Sequence, residues 1–336
     1  VTGSSGFIAH HVIENLINSN FEVLGVDILD PSRVIKGCKY LKKNVLDLDK
    51  NDVDGVDFVI HLACDTNIKN SIENPILTTD NNLGITIKLL SLSAQVKIKK
   101  FVFPSTASMY GSNPIPWNEN MISDPGEPYS WQKLSIEYAL KMWTSRYKLP
   151  TTILRLFQVF GENQRKDTAI AAFINQKKNN KPITLIKSSD KSKFKTGRRD
   201  WIYVKDIAEA FKLTLISDNT GKGEIINIAT GKLISVDEIA KTVGGEITFL
   251  PSRDYEVDDH LADVSKAKKL LGKKIIGITC HNSIRLAKLA IKNNADYLAF
   301  GAFNISKTKK TKYRAKLSLI KKIKKITKTP IVAIGG

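Results

Sequence analysis

The sequence predicts an α/β protein built around a doubly wound parallel sheet. Short apolar segments of strand length alternate with longer segments in which apolar residues recur every three or four positions. A turn containing Gly3 and Gly6 separates the first apolar residue, Val1, from the first helical segment. Strands that alternate with helices pair in parallel, and ligands bind at the carboxyl ends of such strands.

The first turn is predicted to bind a dinucleotide. Gly3 allows a tight turn, Gly6 lets the backbone approach a pyrophosphate, and Ala9 is small enough for close helix–strand packing. The helix that follows would direct its free N–H groups at the phosphates. A second strand ends at Asp27, 21 residues after Gly6, about where an acid binds the adenosine ribose. Because Asp27 would repel a 2′-phosphate, the pattern favours NAD over NADP. The alternative is a structural turn with an N-cap acid.

The following segments continue the alternation. Strands are predicted over residues 57–63, 100–104 and 151–157, and a helix over residues 81–96. Ala63, Thr106 and Phe157 come at the carboxyl ends of these strands, where the site is expected.

Tyr129 and Lys133 form a candidate catalytic pair. They are four residues apart, so on a helix they share one face, and Thr106 lies 23 residues before Tyr129. A nearby cation favours the phenolate and lowers the pKa of a tyrosine. The hydroxyl of Thr106 could bridge a substrate hydroxyl and the phenol, which would remove a proton from an alcohol that loses hydride to a nicotinamide.

Residues 1–271 resemble an extended short-chain dehydrogenase/reductase with a Rossmann-type sheet, of the group of nucleotide-sugar epimerases and dehydratases. The matching segments are the glycine turn, His61-Leu-Ala63, Ser105-Thr-Ala-Ser-Met-Tyr-Gly111, Tyr129-Ser-Trp-Gln-Lys133, Leu154-Arg-Leu-Phe-Gln-Val-Phe-Gly161, Arg199-Asp-Trp-Ile-Tyr-Val-Lys-Asp206, Asn227-Ile-Ala-Thr-Gly231 and Ala262-Asp-Val-Ser-Lys-Ala267.

The resemblance implies residue roles. Tyr129 is the expected base and acid, Lys133 holds the nicotinamide ribose, and Thr106 positions the sugar hydroxyl. The implied NAD-binding residues are Gly3, Ser5, Gly6, Phe7, Ile8, Asp27, Asn44, Val45, Leu62, Ala63, Asn81, Tyr129 and Lys133. The implied substrate-binding residues are Thr106, Gln158, Arg199, Arg253 and His260, and the substrate part is expected mainly in residues 158–198 and 227–265. Guanidinium groups such as those of Arg199 and Arg253 suit diphosphate oxygens, although each arginine could instead form a surface salt bridge.

Within this group the sequence is most similar to UDP-glucose 4-epimerases. Dehydratases and sugar-acid decarboxylases of the group carry a glutamate two residues after the catalytic threonine, where this chain has Ser108. The resemblance therefore implies epimerisation of a nucleotide sugar at C4 through a 4-keto intermediate, with dehydratase or decarboxylase chemistry as the alternative. Gln158 and Asn44 differ from the usual residues, and His260 is either a pocket wall or a solvent-exposed loop residue.

The last part of the chain is strongly basic. Of 52 Lys and Arg residues in 336, 19 lie from Lys266 onward together with one acid, Asp296, so this end supplies nearly all of the net charge of +19. Such a step predicts a second unit. Its strand–helix–strand–helix–strand pattern resembles a stretch of the (β/α)₈ barrel of thiamine-phosphate synthase, through Gly277-Ile-Thr-Cys-His281, Ala295-Asp-Tyr297, Gly301 with Thr308-Lys309, and Ala333-Ile-Gly-Gly336.

We therefore expect residues 273–336 to be a partial barrel. A whole barrel needs roughly 200 or more residues. Both ends of the chain look cut, so an artificial or assembly-derived junction is expected rather than an evolved fusion.

Composition sets the remaining expectations. No apolar run reaches membrane-spanning length, no Cys/His spacing is typical of a metal site, and the three cysteines are expected to be reduced thiols in the cytoplasm. Nucleic-acid binding by the basic end is a rival interpretation, but the lysines at 321–325 fit the solvated face of a packed helix. The family resemblance also implies a homodimer formed through helices at roughly 81–97 and 129–147.

Overall fold

The computed structural model describes residues 1–31, 33–190, 192–252, 257–272, 277–292, 297–301, 315–327, 329 and 331–334. The chain divides into two compact units, Val1–Leu271 and Gly272–Gly336.

The first unit alternates strands and helices. Its strands are β1 (Val23–Asp27), β2 (Cys38–Lys42), β3 (Phe58–Ile60), β4 (Lys100–Thr106), β5 (Thr151–Leu156), β6 (Gln158–Phe160), β7 (Ile183–Ile186), β8 (Arg198–Tyr203), β9 (Lys222–Ile228), β10 (Leu233–Ser235), β11 (Ile247–Leu250) and β12 (Asp259–His260). Its helices are α1 (Phe7–Asn18), α2 (Ile68–Glu73), α3 (Pro75–Val96), α4 (Pro128–Tyr147), α5 (Ala169–Lys178), α6 (Val204–Ile216), α7 (Val236–Val243) and α8 (Ser265–Leu270).

The main sheet is parallel. β1 pairs with β2, and β3, β4, β5 and β9 pair in that order. Thr2 joins the two groups because it forms parallel bridges to Val26 in β1 and to His61, just after β3. The residues before the glycine turn therefore lie in the middle of the sheet.

Helices cover both faces of this sheet. On one face Val12, Ile13 and Leu16 of α1 pack with Ile207 and Phe211 of α6. On the other face Leu89 and Leu90 of α3 pack with Ile136, Leu140 and Trp143 of α4. All of these side chains are buried, which makes the first unit the α/β doubly wound, Rossmann-like fold expected from its sequence.

The remaining strands of the first unit pair outside the main sheet. β8 pairs with β6, β10 and β12, while β7 pairs with β11. The buried carboxylate of Asp200 in β8 joins the connecting loops: it accepts hydrogen bonds from Thr230 N at 2.8 Å, Gly231 N at 2.8 Å and Ala262 N at 3.4 Å.

A buried ion pair fixes α4 against the sheet. Arg155 of β5 donates from Nε to Glu137 Oε1 at 3.0 Å and from Nη2 to Glu137 Oε2 at 2.8 Å. Both side chains are almost fully buried, at 3% and 2% exposure. Two parallel bonds between a guanidinium and a carboxylate fix orientation as well as distance.

Several element boundaries differ from expectation. The strand predicted at 57–63 is limited to Phe58–Ile60, and the strand predicted at 151–157 ends at Leu156. The helix predicted at 81–96 begins six residues earlier, with Pro75 in its first turn. Ile76 and Leu77 in that added stretch are exposed, so the apolar periodicity does not include them. The strand predicted at 100–104 continues to Thr106, which is its last residue.

The second unit has a three-stranded parallel sheet. Its elements are β13 (Gly277–His281), α9 (Ile284–Lys292), β14 (Tyr297–Gly301), α10 (Leu317–Lys324) and β15 (Ile331–Ile334), with β14 between the other two strands. Ala287, Leu298, Phe300 and Ile323 form its core. This order matches the predicted pattern. The predicted features at Ala295, Asp296, Thr308, Lys309, Gly335 and Gly336 lie outside the described residues.

Within the described ranges, no helix is both long and apolar enough to cross a membrane.

We predict that Glu137→Ala lowers the free energy of unfolding of the first unit by about 3–5 kcal/mol, because it leaves the Arg155 guanidinium buried without its partner. The measurement is urea unfolding followed by tryptophan fluorescence. All four tryptophans, Trp117, Trp131, Trp143 and Trp201, lie in the first unit, so the signal reports on it alone.

The matched control is Glu73→Ala, which removes the partner of Lys69 in an exposed pair. Exposed pairs contribute little, so this variant should stay within about 0.5 kcal/mol of the parent. Equal losses in the two variants would contradict the role given to the buried pair.

Candidate active site

A groove opens at the carboxyl ends of the first strands. Its volume is about 480 Å³, within the range of small-molecule sites. Its walls are formed by Gly3, Ser5, Gly6, Val26, Asp27, Ile28, Leu29, Lys43, Asn44, Val45, Leu62, Ala63, Cys64, Asp65, Asn81 and Ile85. Nine of the residues predicted for cofactor binding are among them.

The glycine turn forms the floor of the groove. Gly3 has φ +67°, and a Cβ there would lie 2.6 Å from the backbone nitrogen of Ala63, so only glycine fits. α1 begins directly after Gly6 and has no side chain capping its first N–H groups. Those groups, with Phe7 and Ile8 in the first turn, are available to an anion.

Asp27 is held in place by the backbone of the turn. Its Oδ2 accepts from Ser5 N at 2.9 Å and its Oδ1 accepts from Leu29 N at 3.0 Å. The carboxylate therefore has a fixed position at the end of β1 and in the groove wall, where it can also accept hydrogen bonds from ribose hydroxyl groups.

The opposite wall contains Asn44, Val45 and Asn81. Asn44 Oδ1 accepts from Leu46 N at 3.0 Å, and Val45 is buried beside it. Asn81 is exposed to the groove, whereas its neighbour Asn82 is buried and donates to Gln132 Oε1 at 2.8 Å. This bond joins α3 to α4, and the sequence analysis did not identify it.

His61 anchors the strand that carries Leu62 and Ala63. Its Nδ1 lies 2.7 Å from Thr2 Oγ1 and its Nε2 lies 3.0 Å from Thr86 Oγ1. Thr86 donates its proton to Asn82 O, so His61 Nε2 carries hydrogen and donates to Thr86. Burial lowers the pKa of His61 to about 3, so this ring is neutral at physiological pH.

The candidate catalytic residues lie on two neighbouring elements. Tyr129 and Lys133 are in the first turns of α4, and Thr106 is at the end of β4. Tyr129 N donates to Ser71 Oγ at 3.2 Å, which fixes the first turn of α4. Lys133 is buried, donates from Nζ to Pro104 O at 3.0 Å, and lies 5.8 Å from the centre of the Tyr129 ring. Thr106, the last residue of β4, lies close enough to Tyr129 to lower the pKa of the phenol.

In the protein alone, the surroundings of Tyr129 do not favour its phenolate. Burial raises the pKa of the Tyr129 phenol, and the negative charge of Glu127 raises it further, while Thr106 lowers it. The Lys133 ammonium is directed to the Pro104 carbonyl. Desolvation of the phenolate therefore outweighs attraction by the cation in this arrangement.

Arg199 and His260 are neighbours on paired strands. His260 of β12 lies opposite Arg199 of β8 in parallel register. Arg199 Nη1 donates to Asp258 O at 2.8 Å, and Gln158 begins β6, which pairs with the later residues of β8, opposite Trp201. Arg253 lies outside the described residues.

The structure decides between the two interpretations of His260. Its ring is half-buried in β12, with its centre 4.9 Å from that of the buried Trp117, so it is not a solvent-exposed loop residue, and its role as a pocket wall stays a prediction. Burial, together with the charge of Arg199, lowers the pKa of His260 to about 3.

Several groove residues were missed. Lys43, Cys64 and Asp65 adjoin predicted residues, so their positions next to the strand ends could have identified them. Burial raises the pKa of the Cys64 thiol, which remains protonated, and Cys38 is also a free thiol. Among the described residues, no three His, Cys, Asp or Glu side chains are placed to bind a metal.

The second unit is related to a different family. Residues 255–336 match the profile of thiamine monophosphate synthase. The thiamine-phosphate synthase of Pelagibacter ubique is 68% identical over 74 residues, which are 22% of this chain and 36% of that protein. The chain thus spans about a third of that relative's length.

Relatives of the first unit cover most of the chain. A putative UDP-glucose 4-epimerase of Methanocaldococcus jannaschii is 32% identical over 288 residues, which are 80% of this chain and 91% of that protein. The structure is similar to UDP-N-acetylglucosamine 4-epimerase from Methanobrevibacter ruminantium in complex with UDP-N-acetylmuramic acid, with a TM-score of 0.73, 29% identity, and coverage of 81% and 91%.

UDP-glucuronic acid 4-epimerase from Bacillus cereus, in complex with UDP-glucuronic acid and NAD, is also similar, with a TM-score of 0.72, 28% identity, and coverage of 80% and 91%. The profile of the NAD dependent epimerase/dehydratase family matches residues 1–229. By this match and by the sequence and structural similarity over four-fifths of its length, the chain belongs to the NAD dependent epimerase/dehydratase family.

Proposed function

We propose that the chain catalyses the NAD-dependent epimerisation of a nucleotide sugar at C4, through a 4-keto intermediate. The observation that carries this proposal is the grouping of Tyr129, Lys133 and Thr106 beside the groove. A phenol, a buried ammonium and a hydroxyl in one place suit removal of a proton from a sugar hydroxyl and its later return.

The groove fits NAD. The close approach of the backbone at Gly3, the uncapped start of α1 and the fixed carboxylate of Asp27 suit a pyrophosphate and an unphosphorylated ribose. Asn44, Val45, Leu62, Ala63 and Asn81 would complete this site. Bound NAD supplies the hydride acceptor and donor for the sugar carbon.

Tyr129 would accept the proton of the C4 hydroxyl. It would later return the proton to the same oxygen, in the sugar of opposite configuration at C4. Lys133 retains donor capacity beyond its bond to Pro104 O, because an ammonium has three N–H groups, and would hold the nicotinamide ribose. Thr106 would position the sugar hydroxyl against the phenol. Since burial raises the pKa of Tyr129 in the protein alone, the base requires positive charge from the complete site.

The substrate would lie against residues 158–198 and 227–265. Arg199 and Arg253 are proposed to bind the diphosphate, and Gln158 and His260 to contact the nucleotide sugar. The His260 ring packs at a tilt against Trp117, on the strand next to Arg199, which supports its assignment to a pocket wall.

The presence of a serine at position 108 favours epimerisation over the elimination of water. This position lies beside Thr106 and supplies a hydroxyl instead of a carboxylate that could assist elimination. The test is incubation of purified chain with UDP-glucose, UDP-glucuronate and UDP-N-acetylglucosamine, with the configuration at C4 measured by NMR. Loss of water in place of inversion would overturn the proposal.

We predict that Tyr129→Phe reduces turnover by about 10²–10⁴-fold, because the general base is lost. NAD binding, measured by calorimetry, should remain because the groove residues are unchanged. Tyr138→Phe is the matched control, since that tyrosine is exposed on the same helix. A Tyr129 variant that keeps most of the parent activity would contradict the assignment.

We further propose that two copies pair through α3 and α4. The outer face of these helices exposes Ile87, Trp131, Tyr138, Met142 and Tyr147. A shallow depression between the helices, with Trp143 and Tyr147 on one side and Ser91, Ala94 and Gln95 on the other, would receive side chains of the second copy.

Met142→Glu is predicted to shift the chain from dimer to monomer at micromolar concentration, because it places a charge in the proposed apolar interface. Light scattering measures the change. Ile122→Glu, at an exposed position outside these helices, should leave the mass unchanged. A parent chain that is monomeric from the start would refute the pairing.

For the second unit we propose a partial (β/α)₈ barrel that has no thiamine-phosphate synthase activity of its own. Its described part has three parallel strands, whereas a complete barrel has eight. Its lysines at 321, 322 and 324 are exposed around the buried Ile323, which supports a solvated helix face over a nucleic-acid site.

A chain ending at Gly272 should bind NAD as tightly as the full chain, because every residue of the groove lies in the first unit. The full chain should form no thiamine phosphate. Calorimetry of both chains and a product assay on the full chain test this. Weaker NAD binding after truncation, or product formation, would make the second unit functional.

A further inference from the structure

Gln132 lies directly before Lys133 on α4, and its side chain is fully buried. Its Nε2 donates to Thr78 Oγ1 at 3.0 Å and to Thr79 Oγ1 at 2.9 Å, and its Oε1 accepts from Asn82 Nδ2 at 2.8 Å. All three partners belong to α3. Gln132 therefore links α3 to the helix that carries the candidate catalytic pair.

Asn82 continues this chain of hydrogen bonds to the wall of the groove. Its Oδ1 accepts from Asp65 N at 2.8 Å, and its Nδ2 donates to Asp65 O at 3.0 Å. Asp65 follows β3 and lines the groove together with Ala63 and Cys64. The backbone on both sides of the Asp65 side chain is thus held by a buried amide, and that amide is held in turn by Gln132.

The backbone of Asp65 determines the direction of every bond in the chain. A backbone N–H can only donate, so the Asn82 atom that meets it is the amide oxygen, and the amide nitrogen faces Gln132. Gln132 must then present its oxygen to Asn82, which leaves its nitrogen for the threonines. Thr78 donates its own proton to Asn74 O at 3.0 Å and so accepts from Gln132. Loss of one partner would leave a buried donor unsatisfied.

Asp65 lies at the end of the groove nearest the candidate catalytic pair. Thr2 bridges β1 to the end of β3, and β3 pairs with β4, which ends at Thr106. A dinucleotide with its adenosine at Asp27 and its pyrophosphate at the glycine turn therefore brings its nicotinamide to the residues that follow β3.

We propose that Gln132 is a positioning residue for the nicotinamide half of NAD. Through Asn82 it holds the groove wall at Asp65 in a fixed position relative to the helix of Tyr129 and Lys133. The nicotinamide and the candidate base are thereby kept in register with each other. This inference rests on the assignment of the groove to NAD, and it does not depend on which reaction follows.

The test compares NAD with ADP, which lacks the nicotinamide half, by calorimetry on the full chain. Gln132→Met keeps a side chain of similar length and removes the acceptor for Asn82. The Kd for NAD should rise about tenfold, because a buried donor loses its partner. The Kd for ADP should change less than about twofold, because Asp27 and the glycine turn are untouched.

A second pair of variants avoids replacing a fully buried side chain. Thr79 is half-buried, so Thr79→Val removes one acceptor for Gln132 at small risk to folding. It should raise the Kd for NAD about threefold, again with little change for ADP. Thr79→Ser keeps the hydroxyl and should bind NAD as the parent does.

The control is Ile136→Val, which loosens the apolar packing between the same two helices without touching the hydrogen bonds. It should leave both affinities within about twofold of the parent. The inference is overturned if Thr79→Val and Thr79→Ser bind NAD equally well, or if Gln132→Met weakens NAD and ADP by the same factor. A parent chain that binds no NAD would instead refute the assignment of the groove.

Discussion

The ion pair between Arg155 and Glu137 determines the geometry of the whole site. Tyr129, Lys133 and Glu137 follow one another at four-residue intervals, so they share the inner face of α4. Arg155 lies opposite Ser105 in the register of β5 against β4, directly before Thr106. The same guanidinium stacks on Tyr110, in the turn that carries Ser108. One buried pair thus fixes the relative positions of α4 with Tyr129, the end of β4 with Thr106, and the turn that follows β4. A buried charge without its partner is costly, so the three cannot move independently.

The electrostatics of the site in the protein alone keep the base neutral. Burial disfavours the phenolate of Tyr129, and Lys133 is directed to a backbone carbonyl. The neutral thiol of Cys64 and the neutral ring of His61 add no charge to the groove. In the proposed reaction, ionisation of Tyr129 would therefore require positive charge, which a bound oxidised nicotinamide would contribute, so that proton removal would depend on the presence of the hydride acceptor.

Local spacing accounts for what the sequence could predict. The turn at Gly3, the acid at Asp27 and the pair at Tyr129 and Lys133 each depend on residues close in the chain. The structure places Gly3 and Asp27 in one groove, and it brings Lys133 to 5.8 Å from the Tyr129 ring. The bond from Asn82 to Gln132 joins residues 50 apart, and that from Tyr110 to Asn227 joins residues 117 apart. The periodicity of apolar residues does not predict contacts between residues so far apart in the chain. The start of α3 was missed because its first apolar side chains face solvent, where amphipathic pattern does not apply. The pKa of Tyr129 depends on burial and competing partners, which spacing alone does not give.

The carboxylate of Asp200 has a consequence for how this enzyme family can diversify. It holds the loops at Thr230, Gly231 and Ala262 mainly through their backbone N–H groups, which every residue except proline provides. The anchor itself does not depend on the side chains of these loops, although Gly231, with φ +73°, and the buried Ala262 restrict replacement at their own positions. Because the proposed substrate region includes residues 227–265, other side chains of these loops could change around an unchanged polar anchor without rebuilding the scaffold.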